Sequence, residues 1–516
     1  MQKNSNIKII SKNIILILIL FTVVNGVAQE SISEGLEKRI ENIYKEWNIP
    51  GMAVAIIKDD KVIYAKGFGV REIGKSARVD ERTLFAVAST TKAMTAATLG
   101  MLVDEEKLSW NDRVIDVLPG FRMYDSYATA EMRVRDLLTH KSGLSRGDGA
   151  WLEFPISREE VLHQVRYLKP SYSFRSKYHY SNLMYLVAGL ASEEIHGDTW
   201  DNVMYKRLFK PLNMRRSLST TIEINKRSNV ATPHAKENGF FSEGNFKPIT
   251  HRKADGIAPA GAVYSNVLEM ANWVRLNMNK GEFEGKRILS EEVMNEMHTP
   301  QMHMSYSGTN KVTNFSLYGL GFRVSDYRGH KMVSHGGGID GFITWIGFIS
   351  DLDLGWVVVN NGGSRASTLV GYEIIDAFMG LEDDIDWSAD GKKSYNESMA
   401  RYDSLRNDVD SRRVFRTETR LQNSGYVGDY NHEFYGDMTI STSDNKLIIS
   451  RGDALNGTLN HWHYDTFRAR WDEPRERARY GNEFITFHFN AKNEAHIMER
   501  FLDGNPVYFN KVKDDK

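Results

Sequence analysis

The sequence predicts an α+β protein in which helices cover the faces of one antiparallel sheet, followed by a small all-β barrel. Two observations support this fold class. Strand-like stretches occupy both ends of the first part of the chain, with helix-like stretches between them, and a single sheet built from both ends satisfies that order. From about residue 417 the pattern changes to short strands and turns over roughly 100 residues, the size of an independent barrel.

The first domain begins with a predicted hairpin at residues 51–69, where two β-rich runs flank an Asp-Asp-Lys turn. Segments with apolar residues at helical spacing then predict helices at 89–108, 134–140, 182–196 and 271–278. Strand-like runs between Gly-rich or Asp-rich turns are predicted at 318–325, 342–349 and 355–361, and a closing helix is predicted at 368–379. In the tail, strands are predicted at 425–427, 438–441, 446–450, 484–489 and 496–501.

Composition is that of an ordinary globular protein. The 516 residues are 41% hydrophobic and 26% charged, which excludes wholesale disorder and a fibrous chain. Lys and Arg total 66 against 67 Asp and Glu, so the net charge of −1 gives no reason to expect a nucleic-acid partner. The absence of cysteine excludes disulfides, thiolate catalysis, iron–sulfur clusters and cysteine-based zinc sites.

Residues 1–28 have the pattern of a secretory signal peptide. Three lysines precede an apolar run at 14–24, and Gly26 and Ala28 are small residues at the spacing of a cleavage site. The apolar run is too short to span a bilayer, which takes about 20 residues. We therefore expect a periplasmic or secreted protein with no stable membrane anchor after cleavage. Its predicted parts are a first domain at 29–383, a polar linker at 384–413 that includes some helix, and an all-β domain at 414–516.

Ser89 and Lys92 lie in the first turn of the helix predicted at 89–108, which is rich in Ala and Met. Residues three apart lie on one helix face, so the amine can reach the hydroxyl. A serine needs such a base to become a nucleophile, and a lysine serves only if burial or a neighbouring cation lowers its pKa. The apolar helix supplies burial, and its N-terminus directs backbone N–H groups toward Ser89, where an oxyanion could sit.

Two further segments carry chemistry at a distance along the chain. Tyr180 and Asn182 can face one side of an extended turn, where a phenol can relay a proton and an amide can bridge Lys92 and a substrate carbonyl. The alternative for this segment is a plain helix cap. In His335-Gly336-Gly337-Gly338 the glycines leave the backbone of an edge strand free to lie against a ligand, and a backbone N–H there could complete an oxyanion hole. The alternative is a Gly-rich turn with a surface histidine.

The order, spacing and placement of these three segments resemble the penicillin-recognising serine hydrolases, namely class C β-lactamases, DD-peptidases and the related esterases and D-aminopeptidases. Further similar segments are VRDLLTHKSGL, PLNMRRS, PAGAVYSNVLEMANW and YGLGFRV. The resemblance covers about residues 32–380, and the tail is similar to the lipocalin-like C-terminal domain of some members. It implies a β-lactamase-like fold, with a helical subdomain beside the antiparallel sheet.

The resemblance also implies roles. Ser89 would be the acylated nucleophile and Lys92 its base, while Tyr180 would pass a proton to the leaving group and help water in deacylation. Asn182 would position substrate together with His335, Gly337 and Gly338, and the N–H groups of Ser89 and Gly338 would form the oxyanion hole.

Residues 335–337 replace the usual Lys-Thr-Gly, so a titratable group stands in place of a fixed cation and a hydroxyl is lost. This departure favours a peptidase or esterase over β-lactamase activity. We expect no metal and no cofactor, a small-molecule or short-peptide substrate that includes D-configured peptides, and an oligomer as an open possibility.

Several alternatives remain open at this stage. The chain could be a true β-lactamase, or an acyl-accepting sensor that does not turn over, although Tyr180 and Asn182 argue against the sensor. Ser145 in a G-x-S-x-G motif, with the HGGG run, could belong to an α/β-hydrolase, but Ser145 follows a helix-like segment and the HGGG run follows it in the chain. His461 and His463 could bind a metal, but no third ligand is evident nearby. The tail could shape the substrate cleft or mediate oligomerisation.

Overall fold

The computed structural model of the protein describes residues 32–152, 156–236, 244–304, 312–381, 384–481 and 483–512. The predicted signal peptide at 1–28 lies outside these ranges. Within them, no helix combines the length and the apolar character that crossing a lipid bilayer requires.

An eight-stranded antiparallel sheet is built from both ends of the first domain, as the element order predicts. Its strands in chain order are β1 (Gly51–Lys58), β2 (Lys61–Gly69), β3 (Met302–His303), β4 (Ser316–Tyr318), β5 (Arg323–Tyr327), β6 (His330–Ile339), β7 (Phe342–Ile349) and β8 (Leu354–Asn360). Their spatial order is β2-β1-β8-β7-β6-β5-β4-β3, which places the N-terminal hairpin beside the last strand. The hairpin turn is formed by Asp59 and Asp60, whose φ angles of 48° and 58° suit a two-residue turn.

Helices cover both faces of this sheet. The five long helices of the first domain are α1 (Glu34–Glu46), α2 (Thr91–Asp104), α3 (Asn182–His196), α4 (Val267–Met278) and α5 (Ala366–Phe378). Helices α1 and α5 pack on each other over one face, and α4 lies on the other. Alternation along β1 matches these two layers, because Val54 and Ile56 belong to the core on the α1 and α5 side while Ala55 and Ile57 belong to the core beneath α4.

A helical subdomain, predicted from the middle of the sequence, is built around α2 and α3, which contact each other along buried faces. Shorter helices surround them at Val114–Val117, Ser126–Glu131, Val134–Leu137, Gly149–Leu152, Arg158–Gln164, Trp200–Val203, Ala258–Gly261 and Glu291–Met297.

The predicted strand at 318–325 is instead the two strands β4 and β5. Gly321 in the turn between them has φ 87° and lies so close to Ala93 of α2 that a side chain there would collide with its backbone.

The tail forms a closed eight-stranded barrel, preceded by helix α6 (Trp387–Ser411) in the predicted linker. Its strands are β9 (Gly428–His432), β10 (Gly436–Ser443), β11 (Lys446–Arg451), β12 (Leu455–His463), β13 (Thr466–Trp471), β14 (Phe484–Phe489), β15 (Ala495–Leu502) and β16 (Asn505–Lys511). Helix α7 (Pro474–Tyr480) connects β13 to β14. The predicted strand at 425–427 is wrong, because a 3-10 turn ends at Gly425 and the strand begins at Gly428.

Candidate active site

Ser89 lies in a one-turn 3-10 helix, Ala88–Thr90, that leads directly into α2. Ala88 before it has φ 48°, a left-handed backbone conformation that costs energy for a residue with a side chain. The turn rests against β6. A Cβ atom on Gly337 would lie 2.1 Å from the Val87 carbonyl oxygen and 3.2 Å from the Ser89 nitrogen. Only glycine therefore allows the strand to approach the serine turn this closely.

Lys92, the second residue of α2, is fully buried, and its Nζ atom has three neighbours. It lies 3.2 Å from Ser89 Oγ, 2.7 Å from Asn182 Oδ1 and 2.7 Å from the Ala260 carbonyl oxygen. Burial, with a smaller contribution from the nearby Arg146 charge, holds the pKa of the Lys92 amine well below its usual value of 10.5. The structure thus places beside Ser89 a lysine that loses its proton more readily than an exposed one.

Asn182, the first residue of α3, is fixed from both sides. Its Oδ1 accepts from Lys92, and its Nδ2 donates to Asp148 Oδ1 at 2.8 Å. Asp148 in turn accepts from Arg146 Nε at 2.7 Å and from the Trp151 indole at 3.2 Å. The helix-cap interpretation is wrong here, since neither a Ser181 nor an Asn182 side-chain bond caps α3. The amide serves instead to orient the lysine.

Tyr180 completes the group of side chains around Ser89. Its ring lies 4.8 Å from Lys92 Nζ and 5.2 Å from the Arg146 guanidinium carbon, measured to the ring centroid. Burial raises the pKa of the Tyr180 phenol above its usual value of 10, and a hydrogen bond with the Ser89 side chain opposes that shift only in part. The phenol is therefore protonated in the resting protein, so it is placed to donate a proton and is not held as an anion.

His335 is buried behind this group and has both ring nitrogens engaged. Nδ1 lies 2.6 Å from the Gly336 carbonyl oxygen, and Nε2 lies 2.8 Å from the Tyr318 hydroxyl. A carbonyl only accepts, so Nδ1 carries the proton and Nε2 accepts from Tyr318. Burial lowers the pKa of His335 to about 3, so the titratable group that stands in place of the family's fixed cation is neutral near physiological pH.

The glycines after His335 lie in strand β6, and not in a turn. Pairing with β5 ends at Ser334, whereas pairing with β7 continues to Ile339. The strand that was predicted to lie at the sheet edge is therefore an interior strand. Its last residues, 335–339, pair with β7 and do not pair with β5. Gly337 packs on the serine turn, and Gly338 lines the cavity beside Ser89.

A cavity of about 230 Å³ opens in front of Ser89. Its polar lining includes Asn182, Asp148 and two guanidinium groups, from Arg146 and from Arg479 of α7. Its apolar lining comes from Ala254, Ile257, Ala260, Phe342 and Ile343. Helix α7 belongs to the tail, so the C-terminal domain contributes directly to the walls of this cavity.

Four contributors to the site were not predicted from the sequence. Arg146 and Asp148 lie in the G-L-S-R-G-D loop, which drew attention only through Ser145, and Arg479 has no sequence signal at all. His140 was also missed. It is buried, accepts from the Ser181 backbone N–H at 3.1 Å and lies with its ring centroid 4.2 Å from that of Tyr180.

The competing motifs lack the contexts they need. Ser145 lies in a loop after the short helix Val134–Leu137 and does not follow a strand. His461 Nε2 lies 2.9 Å from the Tyr464 carbonyl oxygen, and His463 Nδ1 accepts from the Val414 N–H at 3.2 Å. Among the residues that the structure describes, no three His, Asp or Glu side chains are grouped to hold a metal ion.

Comparison with known proteins links this geometry to a family. A family model described as Beta-lactamase matches residues 36–375, and one described as Domain of unknown function (DUF3471) matches residues 413–510. The chain is 26% identical over 452 residues to the Unguisins hydrolase ungD of Aspergillus violaceofuscus (strain CBS 115571), covering 81% of this chain and 78% of that protein. It is 25% identical over 342 residues to Penicillin-binding protein 4 of Amycolatopsis lactamdurans, covering 64% of this chain and 86% of that protein.

A solved structure shares the fold over nearly the whole chain. The octameric penicillin-binding protein homologue from Pyrococcus abyssi superposes with a TM-score of 0.59 at 20% identity, covering 92% of this chain and 99% of that chain. Together with the Beta-lactamase match, which spans most of the sequence, this confirms the predicted fold class of a β-lactamase-like domain followed by a barrel. The protein is a member of the beta-lactamase family.

Proposed function

We propose that the protein is an exported serine hydrolase that cleaves amide or ester bonds of small molecules or short peptides through an acyl-enzyme. One observation carries the proposal, the environment of Lys92 Nζ. A neutral amine has two N–H donors and one lone pair, and Nζ has two carbonyl-type acceptors at 2.7 Å and the Ser89 hydroxyl at 3.2 Å. Both donors are thus occupied and the lone pair is left to accept the Ser89 proton.

In the acylation step, Lys92 takes the Ser89 proton while Oγ attacks the substrate carbonyl carbon. The oxyanion that forms would lie beside the N-terminus of α2, where the backbone N–H groups of Ser89 and Gly338, two residues that line the cavity, would stabilise it. The close packing of Gly337 on the serine turn keeps the strand and the nucleophile at a fixed separation.

Collapse of the tetrahedral intermediate needs a proton on the leaving group. The protonated phenol of Tyr180, next to Ser89, supplies it and regains a proton from Lys92, whose ammonium lies beside the ring. Water then attacks the carbonyl carbon of the acyl-enzyme, and Tyr180 and Lys92 accept the proton that the water loses. They return a proton to Ser89 Oγ, which releases the acid and restores Ser89.

The substrate class follows from the lining of the site. A neutral His335 and a Gly336 without a hydroxyl offer neither cation nor hydroxyl to a β-lactam carboxylate, which supports the peptidase or esterase assignment. The name of the Aspergillus relative, an unguisins hydrolase, supports hydrolysis as the reaction. A true β-lactamase and a sensor without turnover are the alternatives, and the octameric Pyrococcus homologue supports an oligomer.

The test is labelling with a fluorophosphonate probe, followed by peptide mapping. We expect one adduct on the peptide that contains Ser89, no adduct in Ser89→Ala, and normal labelling in Ser145→Ala, the matched control. A panel of D- and L-aminoacyl amides, p-nitrophenyl esters and a chromogenic cephalosporin then separates peptidase, esterase and β-lactamase. Labelling that persists in Ser89→Ala would disprove the assignment of the nucleophile.

A further inference from the structure

Arg479 is a cation that the tail inserts into the wall of the cavity in front of Ser89. Its side chain keeps 29% of its surface exposed, and its NH1 atom lies 3.5 Å from Asp340 Oδ1. Over the described ranges of the chain, this long ion pair is the one polar contact that its guanidinium makes. A guanidinium carries five N–H donors in a planar fork, so most of its donors are left to a ligand.

The acids around Arg479 are already neutralised by other arginines. Asp340 Oδ2 accepts from Arg252 Nε at 2.5 Å, with both side chains buried. Glu476 of α7 accepts from Arg252 NH1 at 2.9 Å and from Arg475 at 2.9 Å. Three arginines therefore face two carboxylates, and the surplus positive charge lies on the arginine that borders the cavity.

The second cation of the cavity has a partner. Arg146 is held by Asp148 at 2.6 and 2.7 Å, and Asp148 is fixed in turn by Asn182. Arg146 thus forms part of the network that orients Lys92. Arg479 takes no part in that network. Its guanidinium is therefore available to bind a ligand, whereas the guanidinium of Arg146 helps to position other side chains.

We propose that Arg479 binds a carboxylate of the substrate, so that the hydrolase acts on amides or esters whose acyl part carries a negative charge. This inference rests on the proposed function of the site. Arg479 lies near the reacting carbonyl because its partner Asp340 follows Gly338 by two residues, in the turn after β6, which separates the two by no more than about 7 Å. The carboxylate would therefore lie about one residue away from the scissile carbonyl.

The experiment compares the p-nitrophenyl monoester of adipic acid with the same ester in which the free carboxylate is a carboxamide. The wild-type protein should favour the carboxylate by about 10- to 100-fold in kcat/KM, mainly through KM, as expected for a charge-assisted hydrogen bond. Arg479→Gln should reduce the ratio to about 1, and Arg479→Lys should restore part of it. Arg470→Gln, which changes an exposed arginine of the same domain, should leave the ratio at its wild-type value.

Two readouts separate this inference from the proposed function. Fluorophosphonate labelling of Ser89 reports whether the catalytic group is intact in each variant. Calorimetric titration of Ser89→Ala with glutarate reports carboxylate binding without turnover, and the added Arg479→Gln change should weaken it at least tenfold. A wild-type protein without carboxylate preference, or a preference that survives in Arg479→Gln with Ser89 still labelled, would overturn the inference. Loss of labelling in the wild type would overturn the proposed function instead.

Discussion

Gly337→Ala tests whether the approach of strand β6 to the serine turn matters for catalysis. The added Cβ would lie 2.1 Å from the Val87 carbonyl oxygen, whereas side-chain contacts closer than 3.0 Å are essentially never seen. The strand and the turn must therefore separate by about 1 Å. A misplacement of about 1 Å at a catalytic site can cost about 100-fold in rate, equivalent to roughly 2.7 kcal/mol of transition-state stabilisation.

The neighbouring glycine provides the control. A Cβ on Gly336 would come no nearer than 3.8 Å to another heavy atom, so Gly336→Ala should keep kcat/KM within about twofold of the wild type. Both variants are compared in the hydrolysis of one p-nitrophenyl ester, with urea unfolding to show that each is folded. Equal activity of Gly337→Ala and the wild type would refute the claim that this packing sets the position of Ser89.

Other predictions concern proton transfer and the docking of the tail. Lys92→Ala should slow acylation by about 10²- to 10⁴-fold, and normal acylation would remove Lys92 from the mechanism. In the wild type, acylation should rise with pH as Lys92 loses its proton and level off well below pH 10.5, because burial lowers that pKa; a rate that falls over this range would contradict the assignment. Tyr180→Phe should impair amides far more than p-nitrophenyl esters, since p-nitrophenolate leaves without a proton, and equal losses would argue against proton donation. Glu476→Gln should destabilise the protein to urea by roughly 1–3 kcal/mol, because Arg252 loses one of its two buried carboxylate partners and keeps Asp340, while the exposed Glu433→Gln should not.

The parts of the site that could be predicted are those whose geometry is local. Ser89 and Lys92 share a helix face by their spacing, and the structure brings Asn182 and Tyr180 to the same point. The sheet order was also predictable, because strands at both ends of a domain with helices between them leave few arrangements.

The parts that could not be predicted depend on tertiary packing. The lowered pKa of His335 results from burial and from the nearby charge of Lys92, neither of which the local sequence encodes. Arg479 reaches the cavity only because the barrel docks on the first domain, about 390 residues along the chain from Ser89. Strands β13 and β16 were missed because each is short and has polar or charged residues on its exposed face, so that few apolar residues mark it in the sequence.

The central claim is that Ser89 becomes acylated during turnover. The most direct measurement is acid quenching of the protein within milliseconds of mixing with a p-nitrophenyl ester, followed by mass spectrometry of the intact chain and its peptides. The account predicts a burst of p-nitrophenolate close to one equivalent and an added acyl mass on the peptide that contains Ser89, with neither in Ser89→Ala. Turnover without an acylated peptide, or an acyl group on another residue, would contradict it.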